Sequence, residues 1–255
     1  MITRRHKDAP FNALIHLGDT YHGGGAREMI VNLVAPLSKL AGGLKLLGSA
    51  FSLCGNHDLY EGPEGYSCTL DSLNQPGRYF AIVSGPWRIA CLDSAAGDDS
   101  FRCMDGKLDD PQLEWLKKRQ ADGKRLIALT HHLPLSAWDK APTALLTQIR
   151  QASGLLAWYW GHEHRCAAFE RDNPTDFLGG CVGNGAYMER WSPPDRKLQT
   201  RLKWYPRAGR CTCFGDAGRR FWPHGFLELE LDKDRATERF WLENADKAAS
   251  ERQLL

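Results

Sequence analysis

The chain has 255 residues, of which 42% are apolar and 25% are charged, a composition typical of a globular protein. The 33 Lys and Arg residues nearly balance the 31 Asp and Glu residues, so the net charge of +2 marks no general nucleic-acid or membrane binder. No apolar run reaches the roughly 18 residues of a membrane span. The polar start, including Lys7, lacks the apolar segment of a signal peptide, and we expect a solvated tail and a cytoplasmic protein.

The eight cysteines have no zinc-ribbon spacing, and we expect reduced, buried thiols. Cys211-x-Cys213 is a weak indication of a metal or redox pair. Strands and helices alternate along most of the chain, which predicts one layered α/β domain over residues 1–255. The predicted helices cover 27–40 and 143–151, and a third begins with Asp110 as N-cap and Pro111 in its first turn. The predicted strands cover 12–17, 49–54, 79–83, 87–92, 125–130, 155–160, 177–182, 226–231 and 237–241.

Four polar clusters follow predicted strands. They are Gly18-Asp19, Gly55-Asn56-His57-Asp58, His131-His132 and Gly161-His162-Glu163-His164. In α/β sheets the crevice at the carboxyl ends of strands is the usual ligand site. Imidazole, amide and carboxylate groups suit Mn, Fe or Zn, so the clusters predict a metal site at that edge.

The spacing within the clusters limits which side chains can share an ion. His162 and His164 are two residues apart, so on an extended chain they point the same way and could serve two neighbouring ions. His131 and His132 point to opposite faces, so they cannot easily both be ligands. Beside the Gly-Asp pair, His16 is expected in the core and His22 near a substrate.

In this order, the motifs resemble the calcineurin-like metallophosphoesterase superfamily over about residues 12–231. The resemblance implies an αββα fold, a β-sandwich flanked by helices, with two divalent or transition metal ions (Mn, Fe or Zn). It implies that Asp19 bridges the two ions and that His164 binds the second. Asn56, His131 and His162 would hold the first. His57 would be the proton donor and phosphate contact, with Asp58 orienting its ring.

The resemblance implies that a metal-bridging hydroxide hydrolyses a phosphomonoester or phosphodiester in a small phosphorylated or polyanionic substrate. Superfamily members begin with a strand ending in Asp-x-His, which this chain lacks, so we expect the first strand to be missing. Either the recorded chain starts at an internal methionine, which we favour, or the protein is a one-metal or inactive relative. A noncatalytic metal-binding or phosphate-binding module is therefore the alternative function.

A basic, aromatic insert is predicted at about 189–222. Residues 189–220 carry nine Lys or Arg residues against three acids, interleaved with aromatic residues. One interpretation is that the insert attracts an anionic substrate, or stacks nucleic-acid bases in a nuclease-like enzyme through Arg201, Lys203 and Arg210. The other is that its aromatic side chains fill a surface groove.

Overall fold

The computed structural model describes residues 1–46, 48–119, 122–141, 144–151, 154–172, 176–185, 187, 189–207, 209–210, 220–243 and 245–255. Residues 208 and 211–219 of the predicted insert, among them Cys211 and Cys213, lie outside these residues. Within them, no helix is long and apolar enough to cross a membrane.

The helices of the described chain are α1 Ile2–Asp8, α2 Ala26–Met29, α3 Ala35–Gly43, α4 Glu64–Leu73, α5 Asp110–Arg119 and α6 Ala144–Arg150. Its strands are β1 Leu14–His16, β2 Ala50–Ser52, β3 Phe80–Ser84, β4 Trp87–Cys91, β5 Arg125–Thr130, β6 Leu155–Trp160, β7 Cys166–Phe169, β8 Leu178–Val182, β9 Leu202–Trp204, β10 Gly209–Arg210, β11 Arg220–Phe221, β12 Gly225–Leu231, β13 Ala236–Leu242 and β14 Ser250–Gln253.

The main layer is a seven-stranded sheet in the order β3-β4-β5-β6-β8-β7-β9. Its centre, from β4 through β5 and β6 to β8, is parallel, and the remaining pairs are antiparallel. The parallel strands are buried on both faces. This explains their nearly continuous apolar sequences, such as 155–160. The expected mixed α/β architecture is confirmed.

The second layer consists of two separate pieces. Strands β1 and β2 form a parallel pair, whereas β12, β13 and β14 form an antiparallel sheet. Between the two layers lies an apolar core that includes Leu53, Ile127, Leu129 and Tyr159. Helices α5 and α6 cover the outer face of the main sheet, while α2 and α4 pack near the carboxyl end of β2.

A cavity of about 800 Å³ separates the two pieces of the second layer. Its walls include residues of β1 and β12, and its floor includes Leu129 and Tyr159 of the main sheet. In the described part of the chain, β1 pairs only with β2 and β12 pairs only with β13, so both strands turn an open edge toward the cavity.

Several local predictions need correction. Arg5 is not part of a solvated tail, because α1 places its guanidinium 2.7 Å from both carboxylate oxygens of Glu228. The N-cap of α5 is Asp109, whose carboxylate accepts a hydrogen bond from the Gln112 amide at 3.0 Å, rather than Asp110. The helix predicted over 27–40 is α2 and α3 joined by a π-helical turn just before Pro36, which lacks an amide hydrogen. Helix α4 and strand β14 were not predicted.

Candidate metal centre

The four polar clusters come together at the carboxyl ends of β1, β2, β5 and β6. The turn after β1 requires glycine, because Gly18 has φ of +94° and a Cβ there would lie 2.6 Å from the amide nitrogen of Gly55. Asp19 and His162 also have positive φ values, 60° and 57°, although neither is glycine. Such conformations are costly and persist where the surrounding structure enforces them, often at functional sites.

Four side-chain donor atoms meet at this point. Nε2 of His131 lies 3.1 Å from Oδ1 of Asn56, 3.0 Å from Nδ1 of His162 and 3.3 Å from Oδ2 of Asp19. Nδ1 of His162 is 3.1 Å from the same Asn56 oxygen. Four of the five predicted ligands therefore share one site, although they come from four segments spread over about 140 residues of sequence.

These separations fit a metal ion. Ligands at about 2.0–2.2 Å from a cation lie about 3.0–3.4 Å from one another in octahedral or tetrahedral geometry. Nδ1 of His131 donates a hydrogen bond to the carbonyl oxygen of Leu17 at 2.8 Å, which leaves the Nε2 lone pair of the neutral ring facing two oxygen acceptors. A cation satisfies all four electron-pair donors at once.

The charges around the site suit cation binding. Burial disfavours ionisation of Asp19, but His131 outweighs this effect and the pKa of Asp19 is lowered. Burial also works against protonation of His131, but the charge of Asp19 outweighs it and the pKa of His131 is raised, so a proton on this ring competes with a cation for the same position. Burial, followed by the nearby His131, lowers the pKa of His162 to about 2, so its lone pair is available at neutral pH.

His132 does not belong to the donor set, although its ring nitrogens lie close to those of His131 and His162. Its Nε2 donates to the carbonyl oxygen of Cys103 at 2.7 Å, and its Nδ1 lies 2.9 Å from the hydroxyl of Ser94. Burial lowers the pKa of His132 to about 3. His132 is thus a neutral, fully hydrogen-bonded group, and His131 is the histidine of this pair that faces the donor cluster.

His164 lies apart from the four-atom cluster but lines the same cavity as Asp19 and His162. Its ring is 4.5 Å from that of Tyr187, and burial lowers its pKa. A second cation beside Asp19 would have His164 as its histidine candidate, and this assignment stays a prediction.

His57 and Asp58 differ in their surroundings from the prediction. Nδ1 of His57 donates to the carbonyl oxygen of His22 at 3.1 Å. The buried Asp58 carboxylate instead accepts hydrogen bonds from the backbone amides of Asp19, Thr20 and Gly55 at 2.8–3.0 Å. The prediction that Asp58 orients the His57 ring is therefore wrong. Asp58 joins the two loops that carry Asp19 and Asn56, and the His22 carbonyl fixes the ring.

Two residues that sequence reasoning missed orient Asn56. Its side-chain amide donates to the hydroxyl of Tyr60 at 2.6 Å and lies 3.3 Å from Sδ of Met104. These contacts fix which end of the amide is nitrogen and turn Oδ1 toward the histidines. Tyr60 follows Asn56 by four residues, and that spacing was an available signal, whereas Met104 comes from a distant loop.

The described part of the insert supports the groove-filling interpretation. Trp222 packs against Trp138 with ring centroids 5.2 Å apart, and Trp191 lies 6.2 Å from Trp222. Arg201 is buried beside Asp176, with a shortest separation of 3.0 Å, and Lys203 is 3.5 Å from Glu170. The side chain of Arg210 and residues 211–219 lie outside the described residues.

Comparison with known proteins identifies the family. The model of the calcineurin-like phosphoesterases matches residues 2–166, which is more than half of the chain. The chain belongs to this family. A curated relative, the 3',5'-cyclic adenosine monophosphate phosphodiesterase CpdA of Escherichia coli K12, is 36% identical over 87 residues. That match covers 33% of this chain and 29% of the relative, so only a minor part of the relative's length is represented.

Solved structures support the fold. A dimetal phosphatase from Danio rerio has a TM-score of 0.61 at 13% identity, with 99% of this chain and 86% of that chain covered. GAP50, the anchor in the inner membrane complex of Plasmodium, has a TM-score of 0.65 at 11% identity, with 99% of this chain and 81% of that chain covered. A purple acid phosphatase from yellow lupin has a TM-score of 0.57 at 12% identity, covering 99% and 47%. At these identities the likeness concerns the fold.

Proposed function

We propose that the chain is a metal-dependent hydrolase of phosphoesters whose centre is the Asp19, Asn56, His131 and His162 cluster. The observation that carries the proposal is the convergence of four donor atoms within 3.0–3.3 Å of a neighbour. Divalent cations held there would supply Lewis-acid activation of the phosphoryl group and of water. The family match supports this chemistry.

The role proposed for His57 is to protonate the leaving group. Water adds to phosphorus and releases a proton to solvent, the ester P–O bond breaks, and the leaving oxygen takes a proton from Nε2 of His57, which solvent then reprotonates. The His22 carbonyl keeps a proton on Nδ1, so Nε2 is the nitrogen available for transfer. The backbone amide of His57 donates to Oδ1 of Asp19 at 3.0 Å, which ties this residue to the metal cluster.

The alternative is a relative that binds metal or phosphate without catalysis. The four donors fit one ion, and a second ion would have Asp19 and His164 as its candidate ligands. This alternative and the enzyme proposal differ in turnover, not in fold. The partial match to a cyclic nucleotide phosphodiesterase supports testing phosphodiesters as well as phosphomonoesters.

The decisive experiment measures Mn²⁺ binding and hydrolysis together. With 4-nitrophenyl phosphate and bis(4-nitrophenyl) phosphate as substrates, Asp19→Asn and Asn56→Ala should each lower Mn²⁺ affinity and activity by at least about 100-fold. Asp71→Asn, which changes an exposed carboxylate on α4, is the matched control and should do neither. Mn²⁺ binding without turnover in the unaltered chain supports the noncatalytic alternative. Less than one ion per chain contradicts the enzyme proposal and the metal-binding form of the alternative.

A nuclease-like role has less support. Arg201, one of the three cations expected to contact nucleic acid, is buried and paired with Asp176, so its guanidinium cannot reach a phosphate backbone without unfolding its surroundings. Reversing its charge would therefore test stability rather than binding.

A further inference from the structure

Tyr60, Phe101 and Arg102 form a cluster beside His57, here called the aromatic rim. The ring of Tyr60 lies 4.6 Å from that of His57. The guanidinium carbon of Arg102 lies 5.8 Å from the centre of the Tyr60 ring and 5.3 Å from that of Phe101. Phe101 is 82% exposed, an unusual state for a large apolar side chain. The rim therefore presents two rings and a planar cation to solvent next to the proposed proton donor.

The backbone holds Phe101 outward at some cost. Arg102 and Cys103 have φ values of 57° and 51°, so two successive residues with side chains lie in the left-handed region. The carbonyl oxygen of Cys103 accepts the short hydrogen bond from His132, which is itself fixed in the core by Ser94. Strained segments that the core enforces in this way are concentrated at functional sites.

The rim is also coupled to the donor cluster. The Tyr60 hydroxyl accepts a hydrogen bond from the Asn56 amide, and Met104, two residues after Arg102, contacts the same amide. The loop that carries Phe101 therefore reaches the metal ligands directly. This position excludes a purely remote surface role for the loop.

We propose that the aromatic rim binds the leaving group of the substrate and selects leaving alcohols that carry a planar aromatic base, as nucleosides do. The proposal rests on the proposed function, because His57 protonates the leaving oxygen and the rim adjoins His57. Aromatic side chains and guanidinium groups both stack on planar bases, whereas a sugar without a base offers them no flat face.

The test compares esters that differ only in the base. The substrates are adenosine 5'-phosphate against ribose 5-phosphate, and the methyl phosphodiesters of the same two alcohols, all with Mn²⁺ and with release of adenosine or ribose, not of methanol, as the measured reaction. In the unaltered protein kcat/KM should be higher for the adenosine ester than for the matching ribose ester. Phe101→Ala should lower the ratio of the two kcat/KM values about tenfold. Phe101→Tyr retains a ring and should restore most of the ratio.

Val83→Ala is the matched control, because Val83 is another exposed apolar residue, 52% accessible, on β3. It should leave the ratio at its original value. A ratio that does not change in Phe101→Ala, or that falls equally in Val83→Ala, overturns the proposal.

A binding measurement separates this proposal from the proposed function. If no ester is hydrolysed, calorimetric titration with adenosine 5'-phosphate and ribose 5-phosphate replaces the rate ratio. Tighter binding of the adenosine compound that depends on the ring at Phe101 supports the proposal for the rim, even though the absence of turnover contradicts the proposed hydrolysis. Equal affinity for the two compounds contradicts the rim whether or not the protein is an enzyme.

Discussion

At the scale of single residues, the hydrogen bond between His57 and the His22 carbonyl determines which ring nitrogen can act. A carbonyl only accepts, so the proton stays on Nδ1 and Nε2 carries the exchangeable one. A positioned acid contributes most where the leaving oxygen is strongly basic and least where it leaves readily as an anion. The identity of the leaving group is therefore a direct test of the His57 role.

His57→Ala should lower kcat/KM for phenyl phosphate by roughly 10²–10⁴-fold and for 4-nitrophenyl phosphate by much less. Asp71→Asn, the exposed carboxylate variant on α4, is the control and should leave both rates unchanged. Steady-state rates for the two substrates give the answer. Equal losses for both esters in His57→Ala would contradict proton donation.

Residue types and their positions after apolar strands were sufficient to predict that the four polar clusters meet, whereas the choice of Asp19, Asn56, His131 and His162 within them was implied by the family resemblance. The pattern works because carboxyl ends of parallel strands meet at one edge. The partner of Asp58 could not be predicted in this way. Its carboxylate bonds amides from two loops whose approach depends on Gly18 and Gly55, and sequence adjacency to His57 suggested the wrong contact.

At the scale of secondary structure, Arg201 illustrates how a basic segment can be structural. Its guanidinium donates to the carbonyl oxygens of Glu170 and Phe177 at 2.8 and 2.6 Å and lies over the Phe177 ring. It thereby connects the turn before β9 with the residue before β8. Charge counting alone could not separate this buried cation from the exposed ones around it.

Arg201→Met should lower the free energy of unfolding by roughly 1–3 kcal/mol, because the carbonyl oxygens of Glu170 and Phe177 lose their donor and the buried Asp176 keeps only Arg150, at 3.1 Å. Lys203→Met, which removes an exposed partner of Glu170, should cost less than about 1 kcal/mol. Urea denaturation of both variants measures the difference. Similar small losses in the two would show that the Arg201 pair contributes little.

A second prediction at this scale concerns amide exchange at the open edge of β1. Leu14 donates its amide to Ser49 and His16 accepts from Leu53, so the Ile15 amide between them points to the cavity side. Its hydrogen should exchange at least about tenfold faster than that of Leu14 in native-state NMR exchange. Comparable protection of the two amides would indicate that another segment pairs with this edge.

The bounds of apolar strands such as β5 and β6 could be predicted closely, because burial on both faces requires a continuous run of apolar residues. Helix α4 was missed because its buried residues, Gly65, Tyr66, Thr69 and Leu73, include few of the aliphatic side chains that mark an apolar stripe. The π-helical turn between α2 and α3 was missed because helical periodicity predicts a uniform helix.

At the scale of the whole molecule, the donor cluster should make stability depend on cation concentration. A ligand that binds only the folded chain adds about 2.7 kcal/mol at one hundred times its Kd. Mn²⁺ should therefore raise the Tm of the unaltered protein by several degrees, and a chelator should reverse the increase. Asp19→Asn should abolish most of the increase, and an equal increase in this variant would place the cation elsewhere.

The cavity gives such a cation a mechanical consequence. Asp19 and Asn56 follow β1 and β2, a strand pair that has no hydrogen-bonded partner strand among the described residues of its own layer, whereas His131 and His162 follow strands of the main sheet. Coordination bonds to all four would cross-link the two halves of the sandwich at one end. Loss of the ion would then loosen the β1–β2 pair as a unit. The rigidity of this pair and the correct geometry of the reaction site would be lost together.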